Sequence, residues 1–259
     1  METIRLERDG DVLVATIDHP DSAVNAVDGV LHRELGELFR ELKQESTARA
    51  VVLTGSGRAF SAGGDMEWFP SLRTVERSHA LRREGKQIIW DMLDIEVPVV
   101  CGLNGAAAGL GASIALLCDL IVMAEAAVIV DPHVKVGLVA GDGGAAIWPL
   151  LVGPLAAKRH LMLGEPMTSA DALRLGVAAE VCPTPEVGAR ALAWARRLAD
   201  GAPLAVQGTK QAINAQVKQA LLTSFDVSMA LEMPCLLSAD HAEAVSAFVE
   251  GRRPTFHGQ

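Results

Sequence analysis

Two apolar, β-branched segments of this chain each run directly into small residues and then into a stretch with helical character. Ala50-Val-Val-Leu-Thr54 precedes Arg58-Ala-Phe-Ser-Ala-Gly-Gly-Asp65, and Pro98-Val-Val-Cys-Gly-Leu103 precedes Asn104-Gly-Ala-Ala-Ala-Gly-Leu-Gly111. A strand that enters a helix through glycine and alanine leaves backbone N–H groups unpaired, with little side-chain bulk around them. Two such groups directed at one oxygen form an oxyanion hole. The same pattern also fits two ordinary strand–turn–helix connections.

Hydrophobic periodicity before residue 137 predicts alternating strands and helices. Residues 3–8 and 12–17 alternate around Asp9-Gly10-Asp11, which predicts a β-hairpin. The remaining periodic segments predict helices and strands in turn: helices over 27–45, 73–94 and 109–118, and strands over 50–54, 98–103, 119–123 and 127–130. This order is typical of an α/β fold with a largely parallel sheet covered by helices.

Beyond Gly137 the pattern becomes mainly helical. We expect helices over 142–152, 154–163 and 169–175, one short strand at 178–182, and successive helices over 186–250 interrupted at Gly201-Ala-Pro203 and Pro234. The prediction is therefore a core at 1–185 followed by a helical C-terminal oligomerisation region at 186–259. These helices carry more apolar surface than the core needs, including Phe248 and Val249. We therefore expect a homotrimer or hexamer assembled through residues beyond about 200.

Charge and composition narrow the partners. The net charge of −9 and the pI near 5.3 disfavour nucleic acid and anionic membranes. Four scattered cysteines without CxxC spacing, and a charged N-terminal segment without signal-peptide character, favour a reduced, cytoplasmic protein. Residues 97–118 are uncharged and long enough to span a bilayer. Because they contain Pro98, Asn104 and four glycines, they predict a strand, a turn and a buried helix instead.

Among seven histidines, His133 stands out because it follows an apolar strand in Val130-Asp-Pro-His-Val134. Asp142 comes nine residues later, among the glycines of 137–144. It could cap a helix, or it could orient the His133 ring as the carboxylate of a catalytic triad does. A neutral imidazole suits a base near neutral pH, so we expect turnover to rise as His133 loses its proton.

Other catalytic motifs are incomplete. Asp131 and His133 look too isolated for a closed metal-ligand set, so no metal is expected. No glycine pair completes a dinucleotide or P-loop motif. Gly111-Ala-Ser113-Ile-Ala115 falls one residue short of the G-x-S-x-G nucleophile elbow. A Ser113–His133–Asp142 hydrolase remains open, although Ser113 is expected inside a helix.

At this point the chain resembles the crotonase (enoyl-CoA hydratase/isomerase) superfamily. The resemblance covers nearly the whole chain, in the expected order. It is carried by Asn25-Ala-Val27, Arg58–Asp65, Pro98–Gly105, Gly109-Leu-Gly111, Cys118–Ala124, Gly164–Gly176 and Phe248–Phe256.

The resemblance implies a spiral of ββα units, a helical C-terminal trimerisation region, and an oxyanion hole for the enolate of a thioester or ketone. By position, its N–H donors would be Ala62 and Leu110. Residues expected around the substrate are Gly64, Asp65, Met66, Gly109 and Ser113. No cofactor is implied beyond the CoA that forms part of an acyl-CoA substrate.

Departures from the family pattern affect the reaction. Hydratases of this superfamily use two glutamates, and this chain has Ser113 and His133 at those positions. Paired-carboxylate hydration therefore cannot be carried over, and the base of the single-glutamate isomerases is also replaced. His133 with Asp142 resembles the dyad of the superfamily's C–C-bond hydrolases of the 6-oxocamphor hydrolase type. Glu232 falls near the additional acid of that subfamily, although a surface helical glutamate is the simpler interpretation.

The substrate class stays open at this stage. Members that bind CoA usually carry a basic residue just before the Asn25-Ala26 pair, where this chain has Asp21-Ser-Ala-Val24. Five cations could replace it: Arg58, Arg73, Arg82, Lys86 and Arg252. An enoyl-CoA hydratase-like lyase or isomerase is the first expectation, and C–C hydrolysis of a small β-diketone is the second. The third is an acyl-CoA-binding protein without catalysis.

Overall fold

The computed structural model describes all residues, Met1–Gln259, as strands and α-helices with short connections. The strands are β1 (Ile4–Asp9), β2 (Val12–Ile17), β3 (Ala26–Val27), β4 (Ala50–Gly55), β5 (Ala59–Ser61), β6 (Gly63–Gly64), β7 (Val99–Leu103), β8 (Ala106–Ala108), β9 (Leu120–Ala124), β10 (Val128–Val130), β11 (Met167–Thr168) and β12 (Glu180–Cys182). The helices are α1 (Gly29–Leu42), α2 (Val75–Leu93), α3 (Leu110–Leu117), α4 (Gly144–Val152), α5 (Pro154–Leu163), α6 (Ser169–Arg174), α7 (Val187–Ala199), α8 (Pro203–Leu237) and α9 (Ala239–Val249). The mixed α/β fold class expected from the periodicity is confirmed.

The main sheet has six strands in the order β1-β2-β4-β7-β9-β12. The predicted hairpin pairs β1 and β2 antiparallel, and every other neighbouring pair is parallel. The central strands β4 and β7 consist of near-continuous apolar residues because they are buried in the interior.

A smaller sheet of order β11-β10-β8-β5 determines where functional groups meet. Within it, β5 and β10 both run parallel to β8. The carboxyl ends of parallel neighbours lie at the same edge of a sheet, which is where ligands bind in open α/β sheets. The chain leaves these ends at 62–65, 109–111 and 131–133, so the two glycine turns and His133 converge.

Two boundary expectations are corrected. Helix α7 packs on β4, β7 and β9 with Ala191 and Ala195 fully buried, so a division after residue 185 cuts through the core. Pro234 lies inside α8, which continues to Leu237. Tertiary packing of α8 against α2 and α4 outweighs the local cost of the proline. Residues 97–118 form β7, β8 and α3, as expected.

Helix α8 is long and apolar enough to cross a membrane by length and composition alone, with a mean hydropathy of 1.4 and 33% of the apolar window buried. In this fold it is tied to the core, because the Lys210 ammonium donates to Val97 O (2.9 Å) and lies 2.7 Å from the Asp119 carboxylate. Its outward side exposes several large apolar side chains: Leu204, Ile213, Leu222, Val227 and Leu231. This surface matches the predicted assembly region, and the assembly itself stays a prediction.

Candidate active site

The first glycine turn, between β5 and β6, does not present the expected donor. The Ala62 N–H donates to Val24 O (2.9 Å), so it is already paired and the assignment of Ala62 to the oxyanion hole is corrected. The Asp65 N–H donates to Val27 O (2.9 Å), across the β3–β6 pair. Gly63 has a left-handed φ of 79°, which turns the chain between Ala62 and Gly64. Alternation of N–H groups counted back from Asp65 then directs the Gly64 N–H away from β3. Gly64 replaces Ala62 as the candidate donor.

The second glycine turn presents Leu110 as expected. Gly109 adopts a left-handed φ of 51°, and α3 begins at Leu110 without a side-chain cap. The N–H groups of the first turn of a helix have no intrahelical acceptor. The Gly109 N–H donates to Val130 O (3.1 Å), which fixes this turn beside the end of β10. A Cβ at Gly111 would lie 2.7 Å from the Ser61 Cβ, so only glycine allows the two turns to approach this closely.

His133 opens a short 3₁₀ turn directly after β10, and Asp131 holds its ring. Asp131 Oδ1 accepts a hydrogen bond from the His133 backbone N–H (3.2 Å) and lies 2.5 Å from ring Nδ1. Asp131 is 1% exposed and lies against Gly144, the first residue of α4. The orienting role that the sequence assigned to Asp142 therefore belongs to Asp131.

Two other carboxylates face the opposite ring nitrogen. His133 Nε2 lies 3.6 Å from Asp142 Oδ2 and 3.8 Å from Glu232 Oε1. Glu232 reaches this place from α8 because Gly141 leaves room where a Cβ would overlap its side chain. With 7% exposure, Glu232 is not the surface glutamate that its helical position suggested. We refer to Asp131, His133, Asp142 and Glu232 as the His133 cluster.

Ser113 lies within α3, as expected, and forms no hydrogen bond with His133. Its hydroxyl donates to Asp142 Oδ1 (3.1 Å), and the side chain is buried. A serine nucleophile needs a base that accepts its proton, and here its partner is a carboxylate of the cluster. Asp142 is also not the N-cap of α4, because Gly143 occupies that position. One oxygen of Asp142 thus accepts a hydrogen bond from Ser113, and the other oxygen faces His133 Nε2.

Burial and mutual charge shift the protonation of this cluster. Burial disfavours the imidazolium, but Asp131 and Asp142 outweigh it and hold the pKa of His133 well above its usual range. Burial raises the pKa of Asp142, and it raises the pKa of Glu232 to about 8, with Asp142 adding to the effect. These shifts favour the imidazolium form of His133 and the protonated form of Glu232. Their direction is opposite to that of the neutral imidazole base expected from the sequence.

The cluster also changes the expectation about metal ligands. Possible ligand atoms of Asp131, His133 and Asp142 lie within 4.8 Å of one another, so Asp131 and His133 are not isolated. A metal requires neutral imidazole. Pairing with the Asp131 carboxylate instead stabilises the protonated, imidazolium form of His133, which cannot bind a metal.

Two cavities meet at His133. The outer cleft, about 620 Å³, is lined by four of the five predicted substrate-contacting residues, Gly64, Asp65, Met66 and Gly109, but not by Ser113. The inner cavity, about 80 Å³, is mostly apolar and is lined by Leu110, Asp142 and Glu232 among others. Both cavities also include Phe69. The candidate oxyanion donors Gly64 and Leu110 therefore line the inner cavity together with three members of the cluster, His133, Asp142 and Glu232.

No lysine or arginine lines the outer cleft or the inner cavity. None of the five cations proposed for a CoA phosphate lines either space, and three of them have other close partners. Lys86 lies 2.6 Å from Asp226, Arg252 pairs with Glu243, and Arg73 donates to the carbonyl of Ser238. Within one chain, the outer cleft and the inner cavity therefore have no lysine or arginine that could bind a phosphate group.

The orienting role of Asp131 and the N–H donor role of Gly64 were missed for different reasons, although the sequence analysis named both residues. The Asp131-Pro-His133 spacing after a strand is a local signal, because a carboxylate two residues before an imidazole can reach both its backbone N–H and its ring. The Gly64 donor depends on which neighbouring N–H groups pair with β3, and only the β3–β6 register shows this.

Comparison with known proteins shows the family of this chain. The family model for enoyl-CoA hydratase/isomerase matches residues 7–259. The chain belongs to the enoyl-CoA hydratase/isomerase family. A probable enoyl-CoA hydratase from Rhodobacter capsulatus is 32% identical over 257 residues, covering 99% of this chain and 98% of the relative.

Two similar solved structures belong to proteins that are named for different activities. An enoyl-CoA hydratase/isomerase from Mycobacterium paratuberculosis has a TM-score of 0.90 and 36% identity, with 95% of this chain and 98% of that chain covered. A β-diketone hydrolase from Anabaena, bound to (S)-3-oxocyclohexyl acetic acid, has a TM-score of 0.85 and 31% identity, with coverage of 91% and 94%. Membership of the enoyl-CoA hydratase/isomerase family is thus shown. Family membership alone does not determine the reaction, because the proteins of these two similar structures are named for different activities.

Proposed function

We propose that this enoyl-CoA hydratase/isomerase family enzyme stabilises the enolate of a carbonyl substrate, in the first instance an acyl-CoA thioester. The observation that carries the proposal is the convergence of Gly64 and Leu110 with His133, Asp142 and Glu232 around the inner cavity. Two preorganised N–H donors stabilise negative charge on the substrate oxygen. The names of the relatives support the thioester as the first substrate class.

Proton transfer is assigned to the cluster. His133, held as a cation by Asp131, and Glu232, protonated up to a pKa of about 8, are the proton donors. Asp142 is the proton acceptor, and its Ser113 hydrogen bond favours its charged form. His133 and Asp142 thus form the acid/base pair, with His133 as the proton donor instead of the expected base and Asp142 as the proton acceptor instead of the expected orienting group. Asp131 acts by positioning the ring.

A second candidate is hydrolysis of a carbon–carbon bond in a β-diketone. Three observations favour it: histidine in place of the hydratase glutamate, the absence of a cation in the cleft, and the likeness to the Anabaena enzyme. Water would add to one carbonyl carbon as Asp142 takes its proton. The bond between that carbon and the carbon linking the two carbonyls then breaks, and its electron pair forms the enolate of the second carbonyl. Protonation of that carbon gives a carboxylic acid and a ketone.

One experiment separates these activities. The purified protein is incubated side by side with crotonyl-CoA and with a cyclic β-diketone, and products are identified by mass spectrometry. Addition of water to crotonyl-CoA supports thioester chemistry, whereas a ring-opened keto acid supports C–C hydrolysis. Binding of acyl-CoA with no turnover of either compound would favour the third possibility, a binding protein, and would refute the proposed catalysis.

The assembly proposal is tested independently. The exposed apolar side chains of α8 and α9 would be covered in a homotrimer or hexamer. Light scattering is expected to give the mass of one of these assemblies. A stable monomer at micromolar concentration would contradict this proposal.

A further inference from the structure

A large polar cavity of about 700 Å³ lies between α1 and α2, outside the site described above. Its walls are single faces of the two helices, and small residues at Gly29, Gly36 and Ala80 make the space. We call it the arginine groove; its charged and ring-bearing wall residues are His32, Arg33, Glu37, Arg40, Trp68, Arg77, Arg83 and Glu84.

The charge of this groove is opposite to that of the chain as a whole. Four arginines face two glutamates in the groove, whereas the chain carries a net charge of −9. Glu37 pairs with Arg33 (3.7 Å) and Glu84 lies 3.4 Å from the His32 ring. No carboxylate lies within 4.0 Å of the guanidinium groups of Arg40, Arg77 and Arg83. A hydrogen bond from His32 lowers the pKa of Glu84, and Arg83 and Arg77 lower it further from a longer distance. No close ion pair, however, occupies any of the three guanidinium groups.

The groove shares a wall with the inner cavity of the active site. His32, Trp68, Leu72 and Leu81 line both spaces. The His32 and Trp68 rings lie 5.5 Å apart within this wall. The inner cavity of about 80 Å³ is roughly half the ~150 Å³ of an apolar cavity that accommodates benzene. The part of a substrate that extends inward from His133 beyond this volume would meet His32 and Trp68, on whose other side the groove lies.

We propose that the arginine groove binds a carboxylate carried at the end of the substrate that is distal to the reacting carbonyl. This inference rests on the proposed function, because it takes the cleft at His133 as the place of reaction. Guanidinium binds carboxylate through paired hydrogen bonds, and an unpaired arginine gains most from such a partner. The substrate class is therefore a keto or acyl compound with a terminal carboxylate.

The test compares neutral and carboxylate-ended substrates of equal length. N-acetylcysteamine thioesters are used alongside CoA thioesters, because they remove the CoA phosphates and leave the distal carboxylate as the only anion. The chains are hexenoyl and the same chain ending in a carboxylate. The variant is Arg77→Gln/Arg83→Gln, and the control is Arg49→Gln, an exposed arginine that lines none of the cavities described here. Calorimetric binding of adipate to each protein needs no turnover.

The expected result is a preference of wild type for the carboxylate-ended chain that falls about tenfold or more in the double variant, measured as kcat/KM. Turnover of the neutral chain and the behaviour of Arg49→Gln stay unchanged, and the preference shrinks at high salt. Adipate binding is lost in the double variant alone.

Three outcomes overturn the inference. The first is turnover without any preference for the carboxylate-ended chain, and the second is adipate binding that the double variant retains. The third is a changed oligomer mass in the double variant without a changed substrate preference, which would show that the groove is a contact between copies of the chain. If no substrate is turned over, the proposed function fails, and adipate binding alone decides the groove: Arg77/Arg83-dependent binding supports it, and no binding refutes it.

Discussion

The His133 cluster and the arginine groove hold similar numbers of charges under opposite conditions. In the cluster, one imidazole lies among three carboxylates that are largely buried, and the pKa values of His133, Asp142 and Glu232 are raised. In the groove, the arginines are exposed and three of them have no carboxylate partner. His32 and Trp68 line both the groove and the inner cavity beside the cluster.

The difference shows that burial decides whether a charged side chain is suited to proton transfer or to binding an ion of opposite charge. Desolvation makes charged groups costly, so buried groups exchange protons with their neighbours and acquire pKa values suited to proton transfer. Exposed arginines keep their charge and can attract an anion, but salt screens them. Changes in the cluster should therefore alter kcat and its pH dependence, whereas changes in the groove should alter substrate preference.

Replacing His133 by alanine is expected to have the largest effect. Loss of the principal proton donor should reduce turnover ~100- to 10,000-fold. The measurement is kcat on whichever substrate the side-by-side screen identifies. Ser113→Ala is the matched control and should lose far less, because Ser113 donates a hydrogen bond to Asp142 and forms none with His133. Retained activity in His133→Ala would refute the assignment, and a large loss in Ser113→Ala would restore the serine-nucleophile alternative.

Removing the Leu110 N–H should have the next largest effect. Proline is tolerated at the first position of a helix but has no N–H, so Leu110→Pro tests the donor itself. Turnover should fall roughly 100- to 1,000-fold. Leu110→Ala keeps the N–H, loses the same side chain and should retain most activity. Equal losses in the two variants would show that packing, not the N–H, matters here; circular dichroism checks the fold of both.

Asp131→Asn tests the positioning of the ring. Loss of a hydrogen bond to a charged partner costs about 1.5–3 kcal/mol, which corresponds to roughly a tenfold to hundredfold loss in turnover if it is felt at the barrier. Because Asp131 supports the imidazolium, the His133 pKa should also fall, as measured by NMR titration. A merely structural role would leave that pKa unchanged. Asp142→Asn should lower turnover with a smaller change in the ring's pKa.

Glu232→Gln should have the smallest effect on rate and a clear effect on pH dependence. The folded-state pKa of about 8 lies above the ordinary value of 4.5, so folding takes up a proton between them. The free energy of unfolding of wild type should therefore fall, relative to the variant, as pH rises from about 5 to about 8. Denaturant titrations at both pH values measure this. In turnover, wild type should lose activity above about pH 8, and a variant with the same alkaline decline would show that Glu232 is not responsible.

Local patterns were sufficient for much of the fold. Alternation around Asp9-Gly10-Asp11 predicted the hairpin, and 3.6-residue periodicity predicted α1, because these signals depend only on neighbours along the chain. Pro234 shows the limit of such signals. By itself this proline favours the end of a helix, but packing against α2 and α4 stabilises α8 so that it continues to Leu237.

The sequence by itself determined the α/β order of elements, the two glycine turns, and His133 as the residue where the family pattern changes. Only the tertiary structure decided that Asp131 holds the ring, that the Ala62 N–H is consumed by Val24, and that Glu232 is buried beside His133 although it lies about a hundred residues away. The reason is physical: hydrogen-bond pairing and desolvation depend on groups that the fold brings together, and neither is encoded in the spacing of residues along the chain. The arginine groove has the same origin, because α1 and α2 supply its charges from separate segments.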